Sequence, residues 1–451
     1  MPATLVRLPV FSRIAVLFAT LGAVTCLGGS ALSAKSPTSI ALIEKGLGAA
    51  VAAGRLTADE QSLYASTARK TVADLRVLPA SQAGELRAVL ADVAAQWKAY
   101  TRPRALTLFS TLAVNRQQLA EPRPLVTGRD LVDADGIVYR HISGHGLVFH
   151  PLANFARLNN LVLAGDLASA QKLADSLLAR ALPWRGGLVW EYLFPFGSGR
   201  PPWVSGMAQA VAAQALARIG DAVSDPDLLG AADAAYAAIP GRLVLNLPAG
   251  PWIELYSFSA TTVLNAQLQA AVSVAEYAEF AGNDPAAAYA VRLAAAAKAL
   301  LPRFDTGYWS LYSLRGDESS LAYHDYVVTL LKRLAAQTGD TSWLDRAERF
   351  QGYEAQAPIV RLGAPVPRLK AGSAKGRGDT ANFRFWLSKL SKVTLKVGGS
   401  VLVEWLGHGS HVLAWAPGSR PPKTYKPVLT AVDLAGNRTD LALPPVVVRP
   451  R

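Results

Sequence analysis

A short glycine–aspartate signal recurs along the middle of the chain, and it constrains the fold more than any other feature. Gly165-Asp166, Gly220-Asp221, Gly282-Asn283-Asp284 and Gly339-Asp340 follow one another at intervals of roughly 60 residues. Each signal lies between two apolar helical runs. Glycine adopts the left-handed conformation that closes a helix, and aspartate accepts the first N–H groups of the next one. The pattern therefore predicts four αα-hairpins, that is eight helices, between about residues 150 and 355.

Helix pairs of this kind close into an α/α toroid with a central cleft, or stack as an open array. We predict the toroid, within a mainly α fold. Before it, Thr57 stands three residues ahead of Glu60, a capping box within a helical N-terminal region. After it, β-forming runs such as 393–397 predict an immunoglobulin-like or fibronectin-like β-sandwich. The predicted domains are a signal peptide at 1–34, the helical region at 35–125, the α/α domain at 126–356 and the β-sandwich at 360–451.

Three local predictions refine the α/α domain. His150-Pro151 is expected to begin a helix, because proline suits the first helical turn. Gly241 to Tyr256 is too apolar and proline-broken for a helix, so we expect an extended hairpin or loop. The core spacing of Leu264 and Leu268 predicts a helix over Ser259–Ala281.

The N-terminus has the pattern of a secretory signal. Arg7 and Arg13 precede an apolar run from Ile14 to Leu27, and the small residues of 30–34 offer a cleavage site. We expect a secreted or cell-envelope protein with no membrane span after signal removal; an uncleaved anchor is the alternative. Cys26 is the only cysteine, so a cleaved chain has no disulfide and no thiolate metal site.

The positive charge of the chain is concentrated in its last segment. The net charge is +13, and residues 361–451 hold 15 Lys and Arg against 4 Asp and Glu, whereas 35–360 is balanced. A basic exported module suits an anionic glycan or an anionic envelope. A solvated basic surface without a specific partner is the alternative. We expect no nucleic-acid partner, since no aromatic–basic motif accompanies the charge.

Three segments place aromatic rings and carboxylates at expected helix ends. They are Trp190 to Gln209, Trp252 to Asn265, and Phe304 to His324. Aromatic faces stack on sugar rings, and carboxylates and tyrosines bind hydroxyls or move protons. The alternative for each aromatic residue is a core position with a satisfied polar tip.

These segments carry a resemblance to a known family. Residues from about 145 to 353 resemble the C-terminal domain of D-glucuronyl C5-epimerases through an ordered set of motifs: Trp203…Gly206-Met207…Gln209, Trp252-x-Glu254-x-Tyr256, Val263-Leu264-Asn265, Phe304-Asp305-Thr306-Gly307, Trp309-Ser310-Leu311-Tyr312 and Tyr323-His324. The resemblance implies an isomerase that inverts D-glucuronate to L-iduronate in a polymer such as heparosan, without a redox cofactor. It places the family's catalytic tyrosines on Tyr256, Tyr312 and Tyr323.

The candidate site residues follow from these segments. The predicted catalytic residues are Tyr256, Tyr323, Tyr312 and Glu254. The predicted substrate-binding residues are Glu191, Tyr192, Trp203, Gln209, Trp252, Asn265 and His324. The chain departs from the family pattern at Leu255, where the family has a second carboxylate directly before the first tyrosine. Glu254 or Glu191 is expected to supply that role.

No cofactor and no metal is expected, since no carboxylate stands at ligand spacing beside His141, His145 and His150.

Three other functions remain open from the sequence. A uronate polysaccharide lyase shares the abstraction of the C5 proton. A toroid glycoside hydrolase needs two carboxylates across the scissile bond, for which Glu191, Glu254, Asp305 and Glu318 are candidates. A non-catalytic glycan-binding envelope protein fits the change at Leu255. The expected partner is an anionic uronate-containing polysaccharide, and a homodimer is compatible with the sequence.

Overall fold

The computed structural model describes residues 38–121, 125–363, 369–370, 379–418 and 420–449. The predicted signal peptide and Cys26 lie outside this part of the chain. Among its helices, none combines the length and the apolar character that a bilayer span requires.

The N-terminal region is helical, as predicted. A 3-10 turn, Trp97–Ala99, precedes the last of its four helices. The helices are α1 (Ser39–Ala52), α2 (Ala58–Asp74), α3 (Ala80–Ala95) and α4 (Arg102–Leu119). The capping box that begins α2 is confirmed: Thr57 Oγ1 accepts from Glu60 N–H, and the Glu60 carboxylate accepts from Thr57 N–H. The apolar faces of these helices enclose one core, which includes Leu47, Leu86 and Phe109.

A three-stranded antiparallel sheet follows, and the sequence analysis did not predict it. Its strands are β1 (Asp130–Val132), β2 (Val138–Ile142) and β3 (Gly146–Phe149). The predicted helix start after β3 is confirmed, with His150 as the capping residue. Its Nδ1 accepts from Ala153 N–H, and Pro151 occupies the first turn.

Eight helices in four successive pairs occupy residues 151–354, as predicted. Two short β-hairpins and a second 3-10 turn, Leu301–Phe304, lie between them. The helices are α5 (Pro151–Leu163), α6 (Leu167–Leu178), α7 (Gly206–Val223), α8 (Pro226–Ala237), α9 (Leu264–Ala281), α10 (Asp284–Leu300), α11 (Leu321–Thr338) and α12 (Ser342–Glu354). The hairpins are β4 (Leu182–Trp184) with β5 (Gly187–Val189), and β6 (Val244–Leu247) with β7 (Gly250–Ile253). The second hairpin confirms the extended structure expected before Tyr256.

Three of the four glycine–aspartate signals form the turns within the pairs. Gly165, Gly282 and Gly339 have positive φ angles of 77°, 61° and 69°. The prediction for the second signal was wrong, because Gly220 lies inside α7. A β-carbon at Gly220 would lie 3.1 Å from Leu229, so this glycine allows the close approach of α8.

The turn between α7 and α8 lies four residues after Gly220, and it also consists of a left-handed residue followed by a capping aspartate. Ser224 takes the left-handed conformation, with φ of 55°. The Asp225 carboxylate then accepts from the N–H groups of Asp227 and Leu228, and Pro226 fills the first position of α8.

The predicted start of α9 at Ser259 was also wrong, since the helix begins at Leu264. Ser259 N–H donates to Tyr256 O in a tight turn at 2.9 Å. Val263 then bridges Ser313, and Leu264 N–H donates to the carbonyl of Tyr312. Pairing of the preceding residues as extended chain therefore delays the helix.

The C-terminal segment is composed of strands, which agrees with the expected β domain. They are β8 (Val360–Leu362), β9 (Leu369–Lys370), β10 (Ala381–Leu387), β11 (Ser391–Val397), β12 (Ser400–Leu406), β13 (Gly409–Trp415), β14 (Thr424–Tyr425), β15 (Val428–Asp433), β16 (Arg438–Ala442) and β17 (Val446–Arg449). The sheets have the strand orders β13-β10-β8, β12-β11-β15-β16 and β14-β17-β9. Alternate residues of β10 and β11, such as Phe383, Phe385, Val393 and Leu395, fill a core of their own.

By its internal contacts the chain divides into two compact units. The first contains the described residues up to Val244, with Glu254–Ala260 and Ser273–Ala288. The second contains Leu245–Ile253, Thr261–Val272 and the described residues from Tyr289. The domain boundaries drawn from the sequence stay predictions.

Within the second unit, a buried lysine links the end of α12 to the β domain. Lys389 and Asp433 have side chains only 2% and 1% exposed, and their Nζ and Oδ2 atoms are 2.9 Å apart. The Lys389 ammonium also donates to the Tyr353 carbonyl at 2.7 Å. The Asn437 amide donates to Asp433 and to the Glu354 carbonyl. Both charges are therefore desolvated and rely on these partners.

Lys389→Met is expected to lower the free energy of unfolding by about 3–5 kcal/mol, because it leaves the Asp433 carboxylate buried without its cation. Urea denaturation of the variant and of the unchanged chain measures the difference. Lys172→Met is the matched control, because its ion pair with Asp135 is exposed at 59% and 63%. An equal loss of stability in both variants would contradict this account.

Candidate functional site

Two loops of the first unit bring aromatic rings together. One loop connects β5 to α7, and the other follows β7. Tyr192 stacks on Trp203 with ring centroids 4.0 Å apart, and Trp203 meets Tyr256 edge-on at 5.6 Å. Phe258 stacks on Tyr256 at 5.4 Å. Two predicted substrate-binding residues and one predicted catalytic residue thus belong to one aromatic cluster.

Main-chain hydrogen bonds hold these two loops against each other. Gly206 N–H donates to the Glu254 carbonyl, and Ser257 N–H donates to the Val204 carbonyl, each at 2.9 Å. A β-carbon at Gly199 would lie 2.3 Å from the Phe258 ring, so only glycine fits there. Tyr256 is therefore held on a segment whose position is fixed from both sides.

Side chains along the segment around Tyr256 alternate between buried and partly accessible positions. Leu255, which replaces the family's carboxylate, is 4% exposed, whereas Glu254 and Tyr256 on either side are half-buried. Burial raises the pKa of the Glu254 carboxyl, and the nearby positive charge of Arg185 opposes the shift. Glu254 therefore combines partial access to solvent with an affinity for protons above that of an ordinary glutamate.

Glu191, the other predicted site carboxylate in this unit, is bound by an arginine from α4. Arg104 Nε and Nη2 donate to its two oxygens at 2.8 and 2.7 Å, and both side chains are largely buried. A bidentate pair of this kind fixes the position and orientation of the carboxylate. Of the two glutamates expected to replace the missing carboxylate, Glu191 is held by Arg104, whereas Glu254 is half-buried.

The remaining predicted residues of the first unit are buried and have structural bonds. The Tyr192 hydroxyl accepts from Leu152 N–H, and burial raises the pKa of this phenol well above its usual range. Trp203 Nε1 donates to the Phe194 carbonyl. The Gln209 amide donates to two main-chain carbonyls, at 2.6 and 3.0 Å. Their roles as substrate-binding residues stay predictions.

The second unit brings together two other predicted catalytic tyrosines. The ring centroids of Tyr312 and Tyr323 are 5.1 Å apart, with the rings inclined at 49°. Tyr323 is in the first turn of α11, and Tyr312 precedes it on an extended segment. The buried residue Asn265 directly follows Leu264, whose N–H donates to the Tyr312 carbonyl. Three of the predicted residues therefore lie close together.

Trp252 and His324 are fully buried in the second unit. Trp252 stacks on Phe304 with ring centroids 5.6 Å apart. His324 Nδ1 lies 2.8 Å from Ser310 Oγ, and its Nε2 lies 2.8 Å from the Phe350 carbonyl. Burial lowers the pKa of His324, so the ring is neutral near pH 7 and donates from Nε2 to the carbonyl. Both residues support the site region from within the core.

Comparison with known protein families gives a match within the α/α region. Residues 186–352 match the family model of the D-glucuronyl C5-epimerase C-terminus. The match confirms the predicted resemblance, and it supports the classification of the chain as an enzyme, an isomerase acting on carbohydrates. No curated protein matches the chain.

Several solved structures are similar to this chain at low identity. A GH76 α-mannanase from Bacteroides thetaiotaomicron has 13% identity over 45% of this chain and 60% of its own, with a TM-score of 0.34. A sugar epimerase from a ruminal bacterium has 11% identity over 57% and 73%, with a TM-score of 0.40. A cellobiose 2-epimerase from Spirochaeta thermophila has 14% identity over 61% and 74%, with a TM-score of 0.37.

Sequence reasoning missed a titratable pair in a pocket of the first unit, outside the matched segment. Asp92 Oδ2 lies 4.0 Å from His145 Nδ1, between apolar walls that include Val89, Leu108 and Phe194. Burial raises the pKa of Asp92 to about 7 and lowers the pKa of His145. The two residues are 53 positions apart in the chain, so no local spacing indicated their contact.

Asp92→Asn is expected to stabilise the protein at pH 8 but not at pH 4. The unfolded chain releases this proton near its ordinary pKa of 3.8, and the folded chain releases it near 7. The carboxyl therefore costs stability that grows as the pH rises from about 4 to 7. The cost is at most about 4 kcal/mol. Urea denaturation at the two pH values measures it. Asp59→Asn, an exposed control in α2, should show no such pH-dependent gain.

Proposed function

We propose that this protein is a uronate C5-epimerase that inverts D-glucuronate to L-iduronate within a polymer. The match of residues 186–352 to the C5-epimerase C-terminus carries the proposal. That segment includes Glu254, Tyr256, Tyr312 and Tyr323. We further propose that its helix pairs close into an α/α toroid.

The reaction requires two proton-transfer groups on opposite faces of one sugar ring. The C5 hydrogen is weakly acidic, because it lies beside a carboxylate that already carries a negative charge. One group removes the proton, and another returns a proton to the opposite face. Hydrogen bonds or cations must stabilise the negative charge that develops in between.

The two groups of side chains suit these two roles. Glu254 and Tyr256 form one, with a carboxyl that holds its proton more strongly than usual. Tyr312 and Tyr323 form the other, with ring centroids 5.1 Å apart. We assign one proton transfer to Tyr256, assisted by Glu254, and the other to Tyr323, assisted by Tyr312.

Arg185 is the cation we assign to the substrate carboxylate. It is exposed, it acts electrostatically on Glu254, and its guanidinium lies 4.7 Å from the centre of the Trp184 ring. Its φ of 49° is uncommon for a residue other than glycine, and such outliers cluster at functional sites. The stacked, positioned charge suits an anionic group close to Glu254.

The contacts of the carboxylates disfavour the hydrolase alternative. Glu191 is bound by Arg104, and Asp305 accepts from Arg349 and from the Tyr353 hydroxyl. Glu318 accepts from the main-chain N–H groups of two residues of the β domain, at 2.8 and 2.6 Å. A hydrolase needs two carboxyl groups free to act at the glycosidic bond. A lyase uses the same first proton transfer as an epimerase, so its products must be tested.

We also propose that the protein acts outside the cytoplasm, in the medium or the cell envelope. The N-terminal pattern of basic residues, apolar run and small residues supports this location. An anionic extracellular or envelope polysaccharide is the substrate class that fits both the location and the basic C-terminal segment.

Incubation of the protein with a glucuronate polymer in deuterated water is expected to place deuterium at C5. Nuclear magnetic resonance of the recovered polymer measures the label and the fraction of iduronate. Tyr256→Phe and Tyr323→Phe should each lower the exchange rate by a factor of about 10²–10⁴, the range for loss of a general acid or base. Tyr308→Phe is the control, because this tyrosine has no assigned role, and it should exchange at the unchanged rate.

The products of the same incubation separate the alternatives. Ultraviolet absorbance from an unsaturated uronate indicates a lyase, and new reducing ends without that absorbance indicate a hydrolase. Retention of the polymer without deuterium uptake would favour the glycan-binding protein. Equal exchange rates in all three tyrosine variants would remove Tyr256 and Tyr323 from the mechanism.

Glu254→Gln is expected to change the pH profile of exchange as well as its rate. If the carboxylate accepts a proton from Tyr256, exchange falls on the acid side as the carboxyl becomes protonated. Because burial raises the pKa of Glu254, this fall is expected above the ordinary value of 4.5. The variant should lose this limb of the profile. An identical acid limb in both proteins would argue against the role of Glu254.

A further inference from the structure

The four-stranded sheet of the C-terminal segment has one face outside its core. In the order β12-β11-β15-β16, Val393, Leu395 and Leu429 point inward and are buried. Because side chains alternate along a strand, the neighbouring positions form the opposite face. That face, here called the outer sheet face, has its most exposed apolar residues on β12 and two lysines on β11: Val401, Val403, Trp405, Lys392 and Lys396.

An indole ring and a lysine stand side by side on this face. The Trp405 side chain is 57% exposed, although tryptophan is highly buried on average. Lys392 is its direct cross-strand partner, and Lys396 is the partner of Val401. The two lysines are four residues apart on one strand, which separates them by roughly 13 Å. The face thus presents an aromatic surface beside two separated positive charges.

The two lysines form no ion pair within the described residues, although Lys396 acts electrostatically on Asp440. The acidic residue on the outer sheet face, Asp440, is paired with Arg438 at 2.8 Å and also accepts from Thr430. Lys392 and Lys396 have no carboxylate at ion-pair distance in the described part of the chain. The face is therefore positive, in a segment where 15 basic residues stand against 4 acidic ones.

We propose that the outer sheet face binds a chain of anionic polysaccharide, with a sugar ring on Trp405 and carboxylates at Lys392 and Lys396. Aromatic rings offer a flat apolar surface of the kind that the C–H face of a sugar covers. The distance between the two lysines is similar to the length of the repeating unit in a polymer that has one carboxylate per disaccharide. The proposal rests on the proposed function for the choice of a uronate polymer, but binding is measurable without turnover.

The make-up of the face favours a glycan over other occupants. A second copy of the chain would bring another face of the same net positive charge against this one, which is unfavourable. A lipid surface is bound by a wider apolar face that inserts below the headgroups, whereas here the lysine row of β11 borders a single strand of apolar residues. One exposed aromatic ring beside two separated basic positions matches a flat polyanion with apolar ring faces.

The test measures binding of the full chain to immobilised heparosan, with mannan as the neutral polymer. We expect binding to heparosan that weakens as salt rises from 50 to 500 mM, and none to mannan. Trp405→Ala should weaken binding about tenfold, as for loss of one aromatic contact. The double variant Lys392→Gln/Lys396→Gln should weaken it about as much and reduce the salt dependence.

Lys70→Gln/Arg87→Gln is the matched control, because it removes two exposed charges from α2 and α3. This variant should bind as the unchanged chain does, and circular dichroism checks that every variant is folded. Unchanged binding in either sheet variant would overturn the proposal. So would equal binding to mannan, equal binding to vesicles of anionic lipid, or a dimer in sedimentation that dissociates on Trp405→Ala. Binding without deuterium exchange would leave this proposal standing and overturn the proposed epimerase.

Discussion

The buried polar network around α7 constrains the helical part of the first unit. Most of α7 is buried, so its polar side chains must find partners inside the protein. Gln214 accepts from Asn159 and from Ser273, and its amide donates to Glu276. Arg218 completes the network by contacting Asn159 and Glu276. A shift of α7 by one residue would leave these groups unpaired, so the network fixes the register of the helix relative to its neighbours.

The fixed register of α7 determines where its first turn begins, and this bears on the candidate site. Ser205 Oγ caps the helix by accepting from Ala208 N–H, and Gly206 N–H is left to bind the Glu254 carbonyl. The loop that carries Trp203 and the loop that carries Tyr256 are thereby tied to one helix end. The site residues of the first unit are thus positioned by polar contacts in the core as well as by the ring contacts among themselves.

The sequence predicted those parts of the structure that depend on local interactions. The turns at Gly165, Gly282 and Gly339 follow from the freedom of glycine to adopt positive φ. Gly220 has the same local signature, but its role is set by Leu229 across the hairpin, which no local pattern shows. The β1–β3 sheet was missed because its strands are short. The α/α toroid and the immunoglobulin-like topology stay predictions.

For the candidate site, residue types were predictable and pairings were not. The motifs pointed to Glu191 and Glu254 as equivalent replacements for the missing carboxylate. The structure distinguishes them through Arg104, which is 87 positions from Glu191 and binds both of its oxygens. Asp92 and His145 show the same limit, since their contact depends on how α3 packs beside the β2–β3 turn.

The change at Leu255 has a consistent physical explanation in the alternation of side chains. Leu255 is buried, and the residues on either side of it are half-buried, so Glu254 and Tyr256 share the more accessible side of the segment. A carboxylate at position 255 would be placed in the apolar interior, where ionisation is costly. Glu254, two positions before Tyr256, is the carboxylate that this segment offers, and burial raises its pKa. The altered motif is thus compatible with a retained acid–base pair, provided that the pair is Glu254 with Tyr256.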